Sequence, residues 1–267
     1  MKINWQAHRG GAYEMPQNTI ASVKYGWDLG AVVEVDIRTT FDGKIICLHN
    51  ETLEETTNAD KELGGINVSK LIYDQIKHLD AGSYFDRKFH HEHVPLLEEL
   101  FIIMKNDKEK KLYLDLKEVD LKKLGEMIEA YQLNDQCIFC HCDIDNCIEM
   151  KKAVDIRCML WIGGTRDQIL SKFKKISDDN FFGADQIQLH LNGNNLDEEW
   201  IYVLKQEDIK MALQKTSQMN VDLEVFPFMM NRANIYQMLD MGISWFATDY
   251  PRLFKEMIEQ YSKRKGE

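Results

Sequence analysis

The sequence is short of basic charge, of proline and of long apolar runs, and each shortage excludes something. Lys and Arg number 33 against 44 Asp and Glu, a net charge of −11. So acidic a body does not attract a polyanion over its whole surface, which argues against nucleic acid and anionic membranes as partners. A small anion can still bind at a local cationic spot or a metal. No run of about 18 uncharged apolar residues exists, so no membrane span is expected. The first residues, MKINWQAHRG, lack the apolar core of a secretory signal, and a cytoplasmic location is expected. Only four prolines occur, none of them clustered, and there is no repeat, low-complexity segment or linker. A single domain over 1–267 is therefore expected. Cysteine is not scarce, but four of the six crowd into 137–147, and a reduced chain is the simplest reading. Cys137 and Cys140 form a CxxC; on a strand, residues three apart face opposite ways and chelate poorly.

What is present is ordinary for a folded interior: 44% apolar and 29% charged residues. Short β-rich runs lie near 3–8, 32–37, 111–116, 136–141, 156–162, 184–191, 222–228 and 244–249. Helical periodicity separates most of them, at 17–29, 95–106, 119–131, 144–153, 165–176, 207–219 and 232–241, with a helical tail at 251–264. Eight strands with intervening helices predict a (β/α)8 TIM barrel of the α/β class.

A further strand-like run, KIICLH (44–49), follows the second strand after only FDG. A parallel partner needs a crossover of a dozen residues or more, so this run is expected to fold back antiparallel. Asp42-Gly43 reads as a two-residue turn, which sets residue 41 opposite 44 and Asp36 opposite His49. The hairpin opens a segment at about 38–94 that departs from the barrel alternation and reads as an insertion over the barrel mouth, ending before Pro95.

Chemistry in such a barrel gathers where strands end at their C-terminal side. His8 and Arg9 end the first strand, Glu34 and Asp36 share one side of the second, and Asp115 and Lys117 share one side of the third. His49 returns to the same rim. Three adjacent carboxylates repel unless a cation sits among them, and an all-oxygen set suits one divalent ion, Ca²⁺ or Mg²⁺. Glu34, Asp36 and Asp115 are the expected metal ligands. Arg9 offers a bidentate fork and Lys117 a point charge for a phosphate. His8 and His49 can divide general-acid and general-base work near neutral pH. Gly10 and Gly11 leave the backbone free to turn sharply or approach a ligand. Together this is equipment for cleaving a phosphodiester.

Other residues have plainer readings. Asn18 either caps the next helix or touches the site. HHEH (90–93) reads as a solvated stretch of the insertion. His190 shares a face with Gln186 and Gln188 and either packs or lines the mouth. Trp161 and Phe228 either wall the alcohol pocket or, the plainer reading, pack in the core, and Asp249 reads as a helix cap.

HRG…NT, VEVDIRTTFDGKIICLHNETLEETTN, VPLLEEL, YLDLK and GISWFATDYP resemble the glycerophosphodiester phosphodiesterases. The likeness is dense over 7–58, returns at 94–100, 113–117 and 242–251, and is one of layout alone over 118–241. It implies a barrel with an insertion after strand two and a divalent metal on the ExD carboxylates and a third acid. It also implies two catalytic histidines, a small-molecule glycerophosphodiester as substrate, and glycerol 3-phosphate and an alcohol as products. The related phospholipases C imply first attack by a substrate hydroxyl, here the glycerol 2-hydroxyl. Gln17 stands where the family usually has Glu, Asn50 and Asp115 where it usually has Asp and Glu, and VFPFMMN (225–231) where it often has Trp-Thr-Val-Asn. Two alternatives follow from these departures: a weak or inactive phosphoester-binding barrel, or a related phospholipid phosphodiesterase or lyase.

Overall fold

A computed structural model describes residues 2–193 and 199–266. Eight parallel strands close a barrel: β1 (Asn4–Ala7), β2 (Val32–Thr39), β4 (Leu112–Glu118), β5 (Cys137–His141), β6 (Arg157–Ile162), β7 (Gln186–Leu191), β8 (Asp222–Pro227) and β9 (Trp245–Thr248). They pair in that order around the ring, and β1 closes it by pairing with both β2 and β9. Between them run α1 (Ile20–Asp28), α4 (Leu97–Lys105), α5 (Leu121–Tyr131), α6 (Ile144–Ala153), α7 (Arg166–Asp178), α8 (Gln206–Gln218) and α9 (Arg232–Met241), with α10 (Pro251–Lys265) last. This is the expected (β/α)8 barrel. No helix among the described residues is long and apolar enough to cross a membrane.

Alternation along each strand sorts the side chains. On β2, Val33, Val35 and Ile37 face the helices, whereas Glu34 and Asp36 face the other way, toward the barrel axis. On β4, Leu112, Leu114 and Leu116 pack outward into the same large apolar cluster, and Tyr113 packs inward with Ile138, Cys140 and Met159. Burying one such Leu is worth roughly 2 kcal/mol, so a one-residue slip of either strand would be prohibitive. The register pairs Glu34 with Tyr113 and Asp36 with Asp115.

Local chemistry ends the helices. The Thr19 hydroxyl and Ser22 form a reciprocal cap at the start of α1, Asp120 caps α5, and Thr165 with Gln168 caps α7. Gly242 ends α9 in the left-handed conformation, and Pro251 opens α10, where a missing N–H costs nothing. All six cysteines are free thiols, five of them buried.

The hairpin differs from expectation by one residue. Strand β3 (Ile45–Cys47) pairs antiparallel with β2 as Ile37 with Cys47 and Thr39 with Ile45. The loop holds three residues, Phe41-Asp42-Gly43, because Gly43 is left-handed (φ 76°) and the Gly43 N–H closes on the Thr40 carbonyl. Asp36 therefore lies beside Leu48, whose N–H donates to its carbonyl, and not opposite His49. The rest of the insertion carries two single-turn helices, α2 (Lys61–Gly64) and α3 (Tyr73–Ile76). It packs around its own apolar cluster of Ile46, Leu48, Leu53, Val68, Leu71 and Ile76.

Candidate active site

The side chains converge on one cavity of about 180 Å³ at the C-terminal end of the strands. His8, Arg9, Glu34, His49, Asp115 and Lys117 line one part of it; Trp161, His190, Phe226 and Phe228 line another. Asp36 is the seventh expected residue; it lies beneath them, buried, in contact with Arg9 and Lys117.

Glu34, Asp36 and Asp115 each offer an oxygen, and these oxygens lie within 4.8 Å of one another. Strand pairing explains this: Asp36 and Asp115 are aligned neighbours, and Glu34 is two residues back on the same side. Lys117 Nζ sits 2.6 Å from Asp115 Oδ2 and 3.1 Å from Asp36 Oδ1, and Arg9 Nε is 3.3 Å from Asp36 Oδ2. Burial raises the Asp36 carboxyl, but Lys117 and Arg9 outweigh it and hold the group below its usual range. Glu34 fares differently: burial and the Asp36 charge push it up to about 8. Its Oε2 accepts the Arg9 N–H at 2.7 Å, while Oε1 is sealed without a partner. A buried oxygen with no donor, beside two more carboxylates, fits a hard divalent cation.

Each histidine is tied at Nδ1. His8 Nδ1 lies 2.6 Å from Asp249 Oδ1, and His49 Nδ1 lies 2.6 Å from Asn50 Oδ1. Burial lowers the His8 pKa, but the Asp249 hydrogen bond and the Glu34 charge overcome it and raise the group above 6.5. Burial lowers the His49 pKa, helped by the Arg9 charge, and the Asp36 charge and the Asn50 hydrogen bond do not offset it. The Lys117 ammonium resists its partial burial because Asp36 and Asp115 hold it charged.

Several residues position these side chains, and of them the sequence offered Asn18 alone as a site contact. Asp249 is not a helix cap: it orients His8 across 241 residues of chain. Asn18 donates to Asp36 Oδ2 and accepts the Asp36 N–H, while Thr19 does the capping. Arg38 donates from Nε and Nη2 to the His49 carbonyl, at 3.0 and 2.8 Å, and so fixes the residue after β3 and Leu48. Trp161 and Phe228, whose plainer reading is core packing, line the cavity instead. In the HHEH stretch, Glu92 caps the Ala21 N–H and His93 pairs with Glu99, so part of it staples the insertion to the barrel.

The departures from the expected motif keep their geometry. Gln17 Oε1 accepts from Arg9 Nη1 at 2.9 Å, and Asn50 Oδ1 faces His49, so each amide supplies an acceptor without a charge.

Comparison with known proteins agrees with this geometry. Residues 8–253 match the model of the glycerophosphoryl diester phosphodiesterase family. A glycerophosphodiester phosphodiesterase of Bacillus subtilis is 26% identical over 96% of this chain and 86% of its own length. One from Caldanaerobacter subterraneus is 34% identical, but that match spans 52% of this chain and only 57% of that protein. Among solved structures, a glycerophosphodiester phosphodiesterase of Agrobacterium tumefaciens shares the fold with a TM-score of 0.73 at 19% identity, covering 96% of this chain and 100% of that one. An Oleispira antarctica phosphodiesterase, solved with its product sn-glycerol 3-phosphate, superposes with a TM-score of 0.70 at 18% identity over 96% of both chains. With its family motifs gathered at one barrel mouth and the match running over nearly its whole length, the chain belongs to the glycerophosphoryl diester phosphodiesterase family.

Proposed function

We propose that the protein hydrolyses a glycerophosphodiester to sn-glycerol 3-phosphate and an alcohol, using one divalent cation and two histidines. The observation that carries this is one cavity lined by two carboxylates, two cationic side chains and two Nδ1-tethered histidines, with a third carboxylate, Asp36, buried beneath them. Glu34, Asp36 and Asp115 would hold Ca²⁺ or Mg²⁺, which would polarise a phosphoryl oxygen and offset its developing charge. Arg9 and Lys117 bind and orient the phosphate. His8 and His49 move the protons. One takes a proton at Nε2 from the attacking glycerol 2-hydroxyl while the other delivers one to the departing alcohol; with the roles reversed, water then opens the cyclic phosphate to sn-glycerol 3-phosphate. Their different tethers, a carboxylate and an amide, bias the two imidazoles apart, as paired acid and base work requires.

The amides at 17 and 50 do not favour a binding-only barrel, since both occupy working hydrogen-bond positions. The test is release of sn-glycerol 3-phosphate from glycerophosphocholine, -ethanolamine, -glycerol and -inositol, with Ca²⁺, with Mg²⁺ and with EDTA. Metal-dependent release is expected and ranks the alcohols. Release that survives EDTA would remove the cation from the reading, and no release from any of the four would remove the hydrolysis.

A further inference from the structure

Around the ring, β7 lies four strands from β2 in either direction, so His190 stands across the barrel from Glu34 and Asp36. The His190 ring stacks parallel on Trp161, with centroids 5.0 Å apart and planes 6° from parallel. Phe226 and Phe228 meet it edge-on at 5.6 and 5.2 Å. This is an uncharged wall: burial pushes His190 down to about 3, so the imidazole is neutral at working pH.

The neutral ring has one defined tautomer. Gln188 Nε2 donates to Gln6 Oε1 at 2.7 Å and to Glu224 Oε2 at 3.0 Å, which turns the Gln188 carbonyl oxygen toward His190. That oxygen lies 2.9 Å from His190 Nε2 and can only accept. The proton is therefore on Nε2, and Nδ1 carries a free lone pair. Among the described residues Nδ1 has no hydrogen-bond partner, yet it is not one of the sealed, unsatisfied atoms of the interior. Gly163 keeps its face clear: a Cβ there would lie 2.9 Å from Nδ1.

We propose that His190 is a specificity-determining residue, whose Nδ1 accepts a hydrogen bond from the terminal hydroxyl of the substrate's glycerol half. This rests on the glycerophosphodiester reading above. With the phosphate held by Arg9, Lys117 and the carboxylate side, the far end of the glycerol is the part that reaches the opposite wall. Its C–H edges pack on Trp161 and Phe226, and its hydroxyl finds there an acceptor that is unpaired among the described residues. A methyl group in that place leaves the acceptor without a donor, and a polar group left unpaired in a closed site costs affinity.

The test is calorimetric binding, with Ca²⁺ present, of sn-glycerol 3-phosphate and of 1,2-propanediol 1-phosphate, which lacks only the terminal hydroxyl. The wild type is expected to prefer the glycerol phosphate by about tenfold. His190→Phe keeps an aromatic wall and removes the acceptor; Gly163→Ala keeps the histidine and covers Nδ1. Both are expected to reduce the preference to below about twofold. An absent preference in the wild type, or one retained in either folded variant, overturns the assignment. Wild-type turnover of glycerophosphocholine, measured alongside, separates the two readings. Turnover without the preference sinks only the His190 assignment, and the preference without turnover sinks only the hydrolysis.

Discussion

Glu34 and Glu224 are both sealed in the barrel, and burial lifts both carboxyl groups to about 8, yet their neighbours differ in kind. Glu34 faces the cavity among Asp36, Asp115, Arg9, Lys117 and His8. Glu224 lies among neutral amides: Gln186 and Gln188 donate to its Oε2, and Tyr113 donates to Gln186 in turn. Each keeps one oxygen without a partner. A buried acid beside other acids and open space is a place for a cation. A buried acid beside amides is a neutral member of a hydrogen-bonded layer that stiffens the floor beneath the site. Burial and raised pKa alone do not mark chemistry; the charge and openness of the surroundings do.

The largest effect should come from the cavity side. His49→Ala is expected to reduce turnover by about a thousandfold or more while leaving the thermal melt of a folded barrel, because it deletes a proton carrier and little packing. Full activity in that variant would sink the acid–base assignment.

The paired substitutions Glu34→Gln and Glu224→Gln set the two acids directly against each other. Glu34→Gln should lower metal-supported turnover at least about a hundredfold. Glu224→Gln should stay within about threefold, yet stabilise the protein at alkaline pH. The folded Glu224 carboxyl ionises near 8 and the unfolded one near 4.5. Below that window both states are protonated and pH changes nothing. As pH rises through it, the unfolded state ionises first, so wild-type stability falls until about pH 8 and is level above. The variant lacks this loss, on the order of 5 kcal/mol at most, and denaturant melts at pH 5 and pH 9 read it. Equal gains at both pH values would refute the neutral-acid description.

Asp249→Asn tests the tether of His8. Turnover is expected to fall by about tenfold to a hundredfold, in kcat more than in KM, and the His8 limb of the pH profile should move to lower pH, since Asp249 helps to raise that group. An unchanged profile would reduce Asp249 to a packing role. The smallest effect is expected from Gln17→Glu combined with Asn50→Asp. Both amides already hold the acceptor geometry, so turnover should change by no more than about threefold. A much larger rise would show the natural chain to be a disabled binder.

The barrel and the site's principal residues were legible because alternation on β2 and β4 places Glu34, Asp36, Asp115 and Lys117 without knowledge of any partner. The hairpin register was not, because whether Gly43 is the second residue of a two-residue turn or the third of a longer loop depends on a single φ angle. Asp249 was invisible because its purpose is to meet His8, at the other end of the chain. Asn18 and Thr19 compete for one cap, and the choice falls out only when Asp36 occupies the Asn18 amide. The wall was legible only in part: the strand period sets His190 on the face of Gln186 and Gln188, but whether Trp161 packs or lines the mouth depends on the ring stacked on it, and Phe228 lies past the end of β8, where no period applies.

Two residues past the first strand stands an Arg9 held left-handed, with φ 51° and ψ 30°, followed by Gly10 and Gly11 at φ 78° and 112°. In three successive positive-φ positions, folding alone would choose glycine each time, since a side chain there costs roughly 1 kcal/mol. Two positions obey and one does not. The cost is met by what the bend does: it turns the Arg9 N–H onto Glu34 Oε2 and sets the guanidinium between Gln17 and Asp36, so one left-handed residue delivers both a backbone donor and a cation to the same carboxylates.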